Sequence, residues 1–134
     1  MLSRIAALSG LYDGVVGAFL LLAANRLASL FGVPPAFPPI FSDLNGLFLL
    51  AVAAGYYLPW RDPERYRGYM WVMGPGLKGA GALLFLIHYS LGNSPRSFLL
   101  FAFSDGALAA LTLWGLLTPA RVAERGNTPA VPRQ

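Results

Sequence analysis

Three ionisable side chains interrupt runs that are otherwise apolar: Asp13 in GLYDGVVG, Lys78 in MGPGLKGAGALLFLIHY and Asp105 in FSDGALAAL. Lys78 is the lone lysine of the chain and sits among glycines. Two carboxylates and one ammonium can form a static ion-pair network that fixes helix register. They can equally form a site for a proton or for the polar head of a ligand. The excess negative charge favours a bound proton, cation or water.

Other chemistry is sparse. His88 is the single histidine, in HYS, without the second histidine a paired haem or metal site would need. It reads as an interfacial residue; its one metal role would be as a lone axial ligand of a haem or pigment. There is no cysteine, which excludes disulfides, thiolate metal sites and thiol redox chemistry. HExxH and phosphate-loop patterns are missing, and no glutamate lies inside an apolar run. Ser9, Ser42, Ser90 and Ser104 have no histidine base at matching depth, which argues against a serine hydrolase. The expectation is a non-enzyme without a metal. No cofactor is read from these residues; haem, pigment or quinone are the groups such a core would admit.

The elements that must position these charges follow from composition. Of 134 residues, 56% are hydrophobic and 12% charged, about half the charge of a soluble domain at roughly 25%. The solvent implied is the lipid bilayer. The net charge of +4 does not imply nucleic acid, because the basic residues flank apolar runs and form no contiguous cationic stripe. Four apolar runs, 5–30, 40–59, 66–91 and 98–117, each exceed the roughly 17 residues that cross hydrocarbon as a helix. Polar–apolar alternation is lacking, so strands are not expected. The reading is an all-α, antiparallel four-helix membrane bundle over 1–119, with helices about 4–30, 40–59, 63–91 and 95–118. A polar tail, 120–134, is expected to be mobile.

Local punctuation supports these limits. PPAFPP (34–39) removes four backbone donors and cannot continue helix 1, whereas Pro39 can open helix 2. Asp62, Pro63 and Glu64 read as N-cap, first turn and dipole partner of helix 3. Ser94 and Pro95 open helix 4, and Pro119 closes it. Asp13 and the length of the first run argue against a cleaved signal peptide, despite Arg4 and the later LAAN.

Basic residues orient the spans. Arg4, Arg61, Arg65, Arg67, Arg121, Arg125 and Arg133 would share one side, and only Arg26 and Arg96 the other. The positive-inside rule then places both termini in the cytoplasm. Trp60, Trp71 and Trp114, with Tyr56, Tyr57, Tyr66 and Tyr69, read as an aromatic belt at that interface. Depths follow from the helical rise: Asp13 about 15 Å in, Lys78 about 18 Å and Asp105 about 21 Å. Three charges from three helices therefore meet near mid-membrane, where each alone costs roughly 2.5–3.5 kcal/mol. Asp13 shares its face with Ala6, Gly10 and Gly17, Lys78 with Gly74, Gly81 and Ala82, and Asp105 with Ala102 and Ala109. Such small residues permit close helix approach. Pro75 should kink helix 3 and free the Trp71 carbonyl as another acceptor for the ammonium. Asp43 either caps helix 2 together with Ser42 or joins the cluster. Asn45, on another face, either bonds a neighbouring helix or tips toward the headgroups.

FSD recurs at 41–43 and 103–105, and GLYDGVVG loosely matches GPGLKGAG, a pattern that two duplicated hairpins would leave. Residues 8–117, through their span count, DLNGLFLLAVAAGYYL (43–58) and the charged link RDPERYR (61–67), resemble the DoxX-like small four-helix bacterial membrane proteins. Those proteins usually carry paired glycines after an acidic residue in helix 2, where a single Gly46 follows Asp43 here. The resemblance implies a bacterial cytoplasmic-membrane protein, some of whose relatives accompany quinone-linked oxidation.

The functional expectation is a non-catalytic membrane protein. It would be a partner subunit, or a binder of a lipophilic small molecule in its core, with a membrane-protein partner or a homo-oligomer as its assembly. The alternative is an oligomeric proton- or ion-coupled transporter using the same charges. Reporter fusions after the last span and within 92–97 are expected to label opposite sides of the membrane; labelling of one side by both would overturn the four-span reading.

Overall fold

The computed structural model describes residues 1–118. All regular structure among them is helical, in four helices long and apolar enough to cross a membrane: α1 (Leu2–Phe31), α2 (Ile40–Arg61), α3 (Arg67–Ser90) and α4 (Arg96–Leu117). The proposed tail, 120–134, lies outside the described residues.

The termini of these helices have local causes. α1 stops at Gly32, whose φ of 66° is the left-handed conformation that glycine adopts without a Cβ penalty. The Val33 N–H returns to the Ala28 carbonyl at 3.0 Å, closing the end before the proline run begins. The start of α3 differs from the reading at residue 63. Asp62 Oδ1 does accept the Arg65 N–H at 3.1 Å, but 63–66 form a turn and the helix starts at Arg67. Tyr66, at φ −106° and ψ 26°, breaks the helical geometry between the cap and the span.

Contacts at the helix ends fix the packing directions. Ser3 Oγ donates to the Trp60 carbonyl (2.7 Å), joining the start of α1 to the end of α2. Ser97 Oγ donates to the Phe31 carbonyl (2.6 Å), joining the end of α1 to the start of α4. Arg67 donates to the Leu116 carbonyl (2.5 Å), where a cation also meets the negative end of the α4 dipole. Neighbouring helices thus run antiparallel, and the 62–66 link lies at the same end as the start of α1 and the end of α4.

The core at that end consists of Leu2, Ile5, Ala6, Val52, Tyr56, Met70 and Leu116. Tyr56 and Tyr69 belong to this interior and not to an outward aromatic belt. Tyr56 is 1% exposed, its ring meets the Tyr69 ring edge-on at 5.3 Å, and Tyr69 donates to the Val52 carbonyl at 2.7 Å. Gly55 makes that inward turn feasible, because a Cβ there would collide with the Tyr69 ring. Trp60, Trp71 and Trp114 are exposed.

α1 and α2 approach most closely where Gly17 crosses Gly46. A Cβ on Gly17 would stand 2.9 Å from the Gly46 carbonyl oxygen, and one on Gly46 would stand 2.9 Å from that of Gly17. The spans α3 and α4 use the same device at Gly74, where a Cβ would overlap Thr112. Outside these seams the surface is apolar: Leu22, Leu30, Phe37 and Phe103 are each more than three-quarters exposed.

Backbone-to-backbone contact cannot absorb a side chain by rotamer change. Gly17→Val is therefore expected to destabilise the protein by about 2–3 kcal/mol, as overpacking does. Gly68→Ala, with nothing within 4 Å of the new methyl, should be neutral or slightly stabilising. Thermal unfolding of both variants in detergent measures the contrast.

Candidate functional site

Lys78 arrives at the centre of the fold on a wide turn. Residues Val72–Lys78 form a π-helical segment with Pro75 inside it. The buried residues of α3 are Met70, Gly74, Lys78 and Ala82, a repeat of four. In an ideal α-helix each step of four over-rotates by about 40°, so such a repeat would wind off the interface within three steps. A π turn holds more residues per turn and keeps the four in line. The proline lacks an N–H in any case, so the wider turn is placed where the α-ladder is already interrupted.

The ammonium is enclosed by three groups. Nζ donates to Asp13 Oδ1 at 2.5 Å and lies 3.5 Å from Asp105 Oδ1. It also stands 4.9 Å from the centre of the Tyr12 ring, a cation–π position. The Tyr12 hydroxyl is paired with Ser104 Oγ at 2.7 Å. The side chains of Lys78 and Asp13 are 5% and 3% exposed, whereas that of Asp105 is 18% exposed. The two carboxylates are therefore unequal: Asp13 is sealed against the ammonium, and Asp105 stands beside it, partly open. Asp13 Oδ2 and Asp105 Oδ1 are buried without a hydrogen-bond partner among the described residues. The ammonium donates to Asp13 and not to the Trp71 carbonyl that the proline is expected to free.

Beside this cluster opens a cavity of about 760 Å³, within the range of roughly 300–1,000 Å³ usual for small-molecule sites. Asp13, Lys78, Asp105 and Tyr12 line its inner part, and Val33, Pro34, Asn93 and Pro95 line the end near the 32–39 and 91–95 links. Part of its wall is aromatic: Phe31 stacks on Phe101 (4.9 Å, 14°), and so does Phe85 (5.6 Å, 24°). α1 leaves room for it by changing direction. Ala23 has non-helical dihedrals (φ −146°, ψ 34°), and beyond Gly17 no residue of α1 is buried.

Of the residues the sequence singles out, Lys78 meets both Asp13 and Asp105, and Asn45 lines the same cavity from α2. Asp43 is set apart. It is exposed in the first turn of α2, makes no side-chain cap bond, and does not line the cavity. His88 is likewise exposed, in the last turn of α3 and away from the cavity. The described residues contain no group of three metal-ligating side chains. Sequence reasoning missed Tyr12, Ser104 as its partner, and the phenylalanine wall. A tyrosine adjoining an aspartate in an apolar run was the available signal for Tyr12; the wall had none, since its rings come from three helices.

No protein-family model, curated protein or solved structure matches this chain.

Removing one partner of a buried pair leaves an uncompensated charge, which costs about 3–5 kcal/mol. Lys78→Met is thus expected to destabilise more than Lys78→Met combined with Asp13→Asn. The Lys78–Asp13 coupling should exceed the Lys78–Asp105 coupling, following their separations. Double-mutant cycles on thermal stability, in detergent and in lipid, measure both; equal and negligible couplings would show that the ammonium is held elsewhere.

Proposed function

We propose that this chain is a membrane-embedded antiparallel four-helix bundle that binds a lipophilic small molecule in its central cavity. The observation carrying this reading is the joining of a large aromatic-walled cavity to a buried ion cluster. The cavity opens to the outside, and its volume of about 760 Å³, with a charge trio at its inner end, suits a small molecule. The apolar exterior supports lipid as the surrounding solvent, since contiguous exposed apolar surface of this kind is rare on soluble proteins.

The proposed setting is the bacterial cytoplasmic membrane with both termini of the chain cytoplasmic, so that the start of α1 and the end of α4 lie on that side. The basic link Arg61–Arg67 and the resemblance to DoxX-like proteins support it. In that orientation the cavity end near 32–39 and 91–95 faces the outer leaflet. The role is non-catalytic, as a binding protein or as the ligand-holding subunit of a larger membrane assembly.

Gly81 offers a test that spares the packing seams. It lines the cavity, and a Cβ there would meet Asp105 Oδ2 at an ordinary 3.7 Å, so Gly81→Leu should fill the inner cavity without prying helices apart. A diazirine-bearing long-chain alcohol, photo-crosslinked to the protein in phosphatidylcholine nanodiscs, is expected to label Leu77, Phe85 and Phe101. Unlabelled dodecanol should compete, and Gly81→Leu should lose most of that labelling. Labelling confined to lipid-facing residues such as Leu22, Leu30 and Phe103 would defeat the proposal.

A further inference from the structure

We infer that the cavity selects a lipophilic cation, a long-chain or aromatic amine, and that Asp105 is the residue that receives its ammonium. This rests on the ligand-binding reading above and names the class of ligand. The argument is one of donors, acceptors and charge at the inner end of the cavity.

The charged side chains lining the cavity are Asp13, Lys78 and Asp105. With both carboxylates ionised they sum to one negative charge. A ligand bearing a carboxylate or phosphate would need Lys78, but that ammonium is 5% exposed, bonded to Asp13 and covered by the Tyr12 ring. An anion could reach it only by displacing a buried carboxylate. A ligand offering only acceptors, such as a ketone or quinone carbonyl, would need a free donor. At the ion cluster itself no such donor is free: the hydroxyls of Tyr12 and Ser104 are engaged with each other, and Ser104 also donates toward the Leu100 carbonyl at 2.9 Å. The other side-chain donors of the lining, Ser42, Asn45 and Asn93, belong to α2 and the 91–95 link and not to the cluster.

What remains unengaged is acceptor capacity. Among the described residues Asp105 makes no hydrogen bond; its Oδ1 is buried at ion-pair distance from Nζ, and its side chain, the most open of the three, leaves Oδ2 as the oxygen a ligand can reach. Asp13, 3% exposed and as inaccessible as Lys78, adds its negative charge to the cluster from behind. A head group that donates hydrogen bonds and carries a positive charge answers both deficits at once, through a charge-assisted bond in a poorly hydrated site. The stacked rings of Phe31, Phe101 and Phe85 continue from this point. Phe101 lies four residues before Asp105 on α4, one turn away on the same side, and so suits the apolar body of such a ligand. Aromatic faces also favour a cation passing over them on the way in.

Competition against the diazirine alcohol tests this in phosphatidylcholine nanodiscs at pH 7. Dodecylamine, dodecanol and laurate are compared at equal mole fraction in the bilayer. Dodecylamine is expected to displace the probe at about tenfold lower concentration than dodecanol or less, with laurate weakest. Asp105→Asn should erase the preference for the amine over the alcohol, whatever its level of probe labelling; Asp105→Glu should retain it. If Asp105→Asn does not fold, the order of the three competitors on the unaltered protein decides. Laurate as the best competitor, or an amine preference that survives Asp105→Asn, would overturn the inference while leaving the cavity reading intact. Absence of any cavity labelling by the alcohol probe would overturn the cavity reading and this inference with it.

Discussion

The contact between Lys78 and Asp13 constrains everything around it. An ammonium and a carboxylate so fully buried are tolerable only while they face each other, because each alone would have to be neutralised or hydrated. The pair joins α1 to α3, two helices that otherwise touch little; α1 packs chiefly on α2, and α3 on α4. It therefore sets how the two helix pairs sit against one another. The repeat Met70, Gly74, Lys78, Ala82 and the π turn beneath it serve that contact, by keeping the lysine pointed at α1 through a segment where an ordinary helix would turn it aside.

Side-chain size then divides the protein into a closed half and an open half. Where glycines and alanines line the seams, as at Gly10, Gly17 and Gly46 or at Gly74 and Ala109, backbones meet and the interior is filled. Past the charge cluster the residues facing inward include Phe31, Phe85, Phe98 and Phe101. Rings of that bulk prop the helices apart and stack among themselves instead of interdigitating. The cluster lies at the boundary, sealed on its Asp13 side and open on its Asp105 side, and this asymmetry gives the site a direction.

Hydrogen bonds from side chains to helix ends hold the frame in which that boundary lies. Ser3 to Trp60, Ser97 to Phe31 and Arg67 to Leu116 each satisfy a terminal carbonyl that the helix itself cannot. Of the three, only Ser97 to Phe31 touches the cavity, at a residue of its wall. They fix the helix ends at both poles, so the ion pair sets registration in the middle without also having to carry the ends.

Much of this could be read from the chain alone, because hydrophobic run length and proline or glycine punctuation act locally. The four helices, the stop near residue 32 and the opening at Pro39 follow from rules that need only neighbouring residues. The meeting of Asp13, Lys78 and Asp105 was also legible, since rise per residue converts position into depth and the small residues beside each charge mark its face. Beyond that the linear pattern fails for definite reasons. Tyr56 and Tyr69 look like interface tyrosines until Gly55 is seen to leave space for an inward ring. Asp43 and Asp105 share the same tripeptide, yet one faces out and the other meets Lys78, because which helix lies opposite is not encoded within the helix. The π turn shifts the phase of α3, the break at Ala23 redirects α1, and the cavity is the gap those two departures leave. A gap has no residues of its own; it is decided by the distance between helices, and that distance exists only once all four are packed.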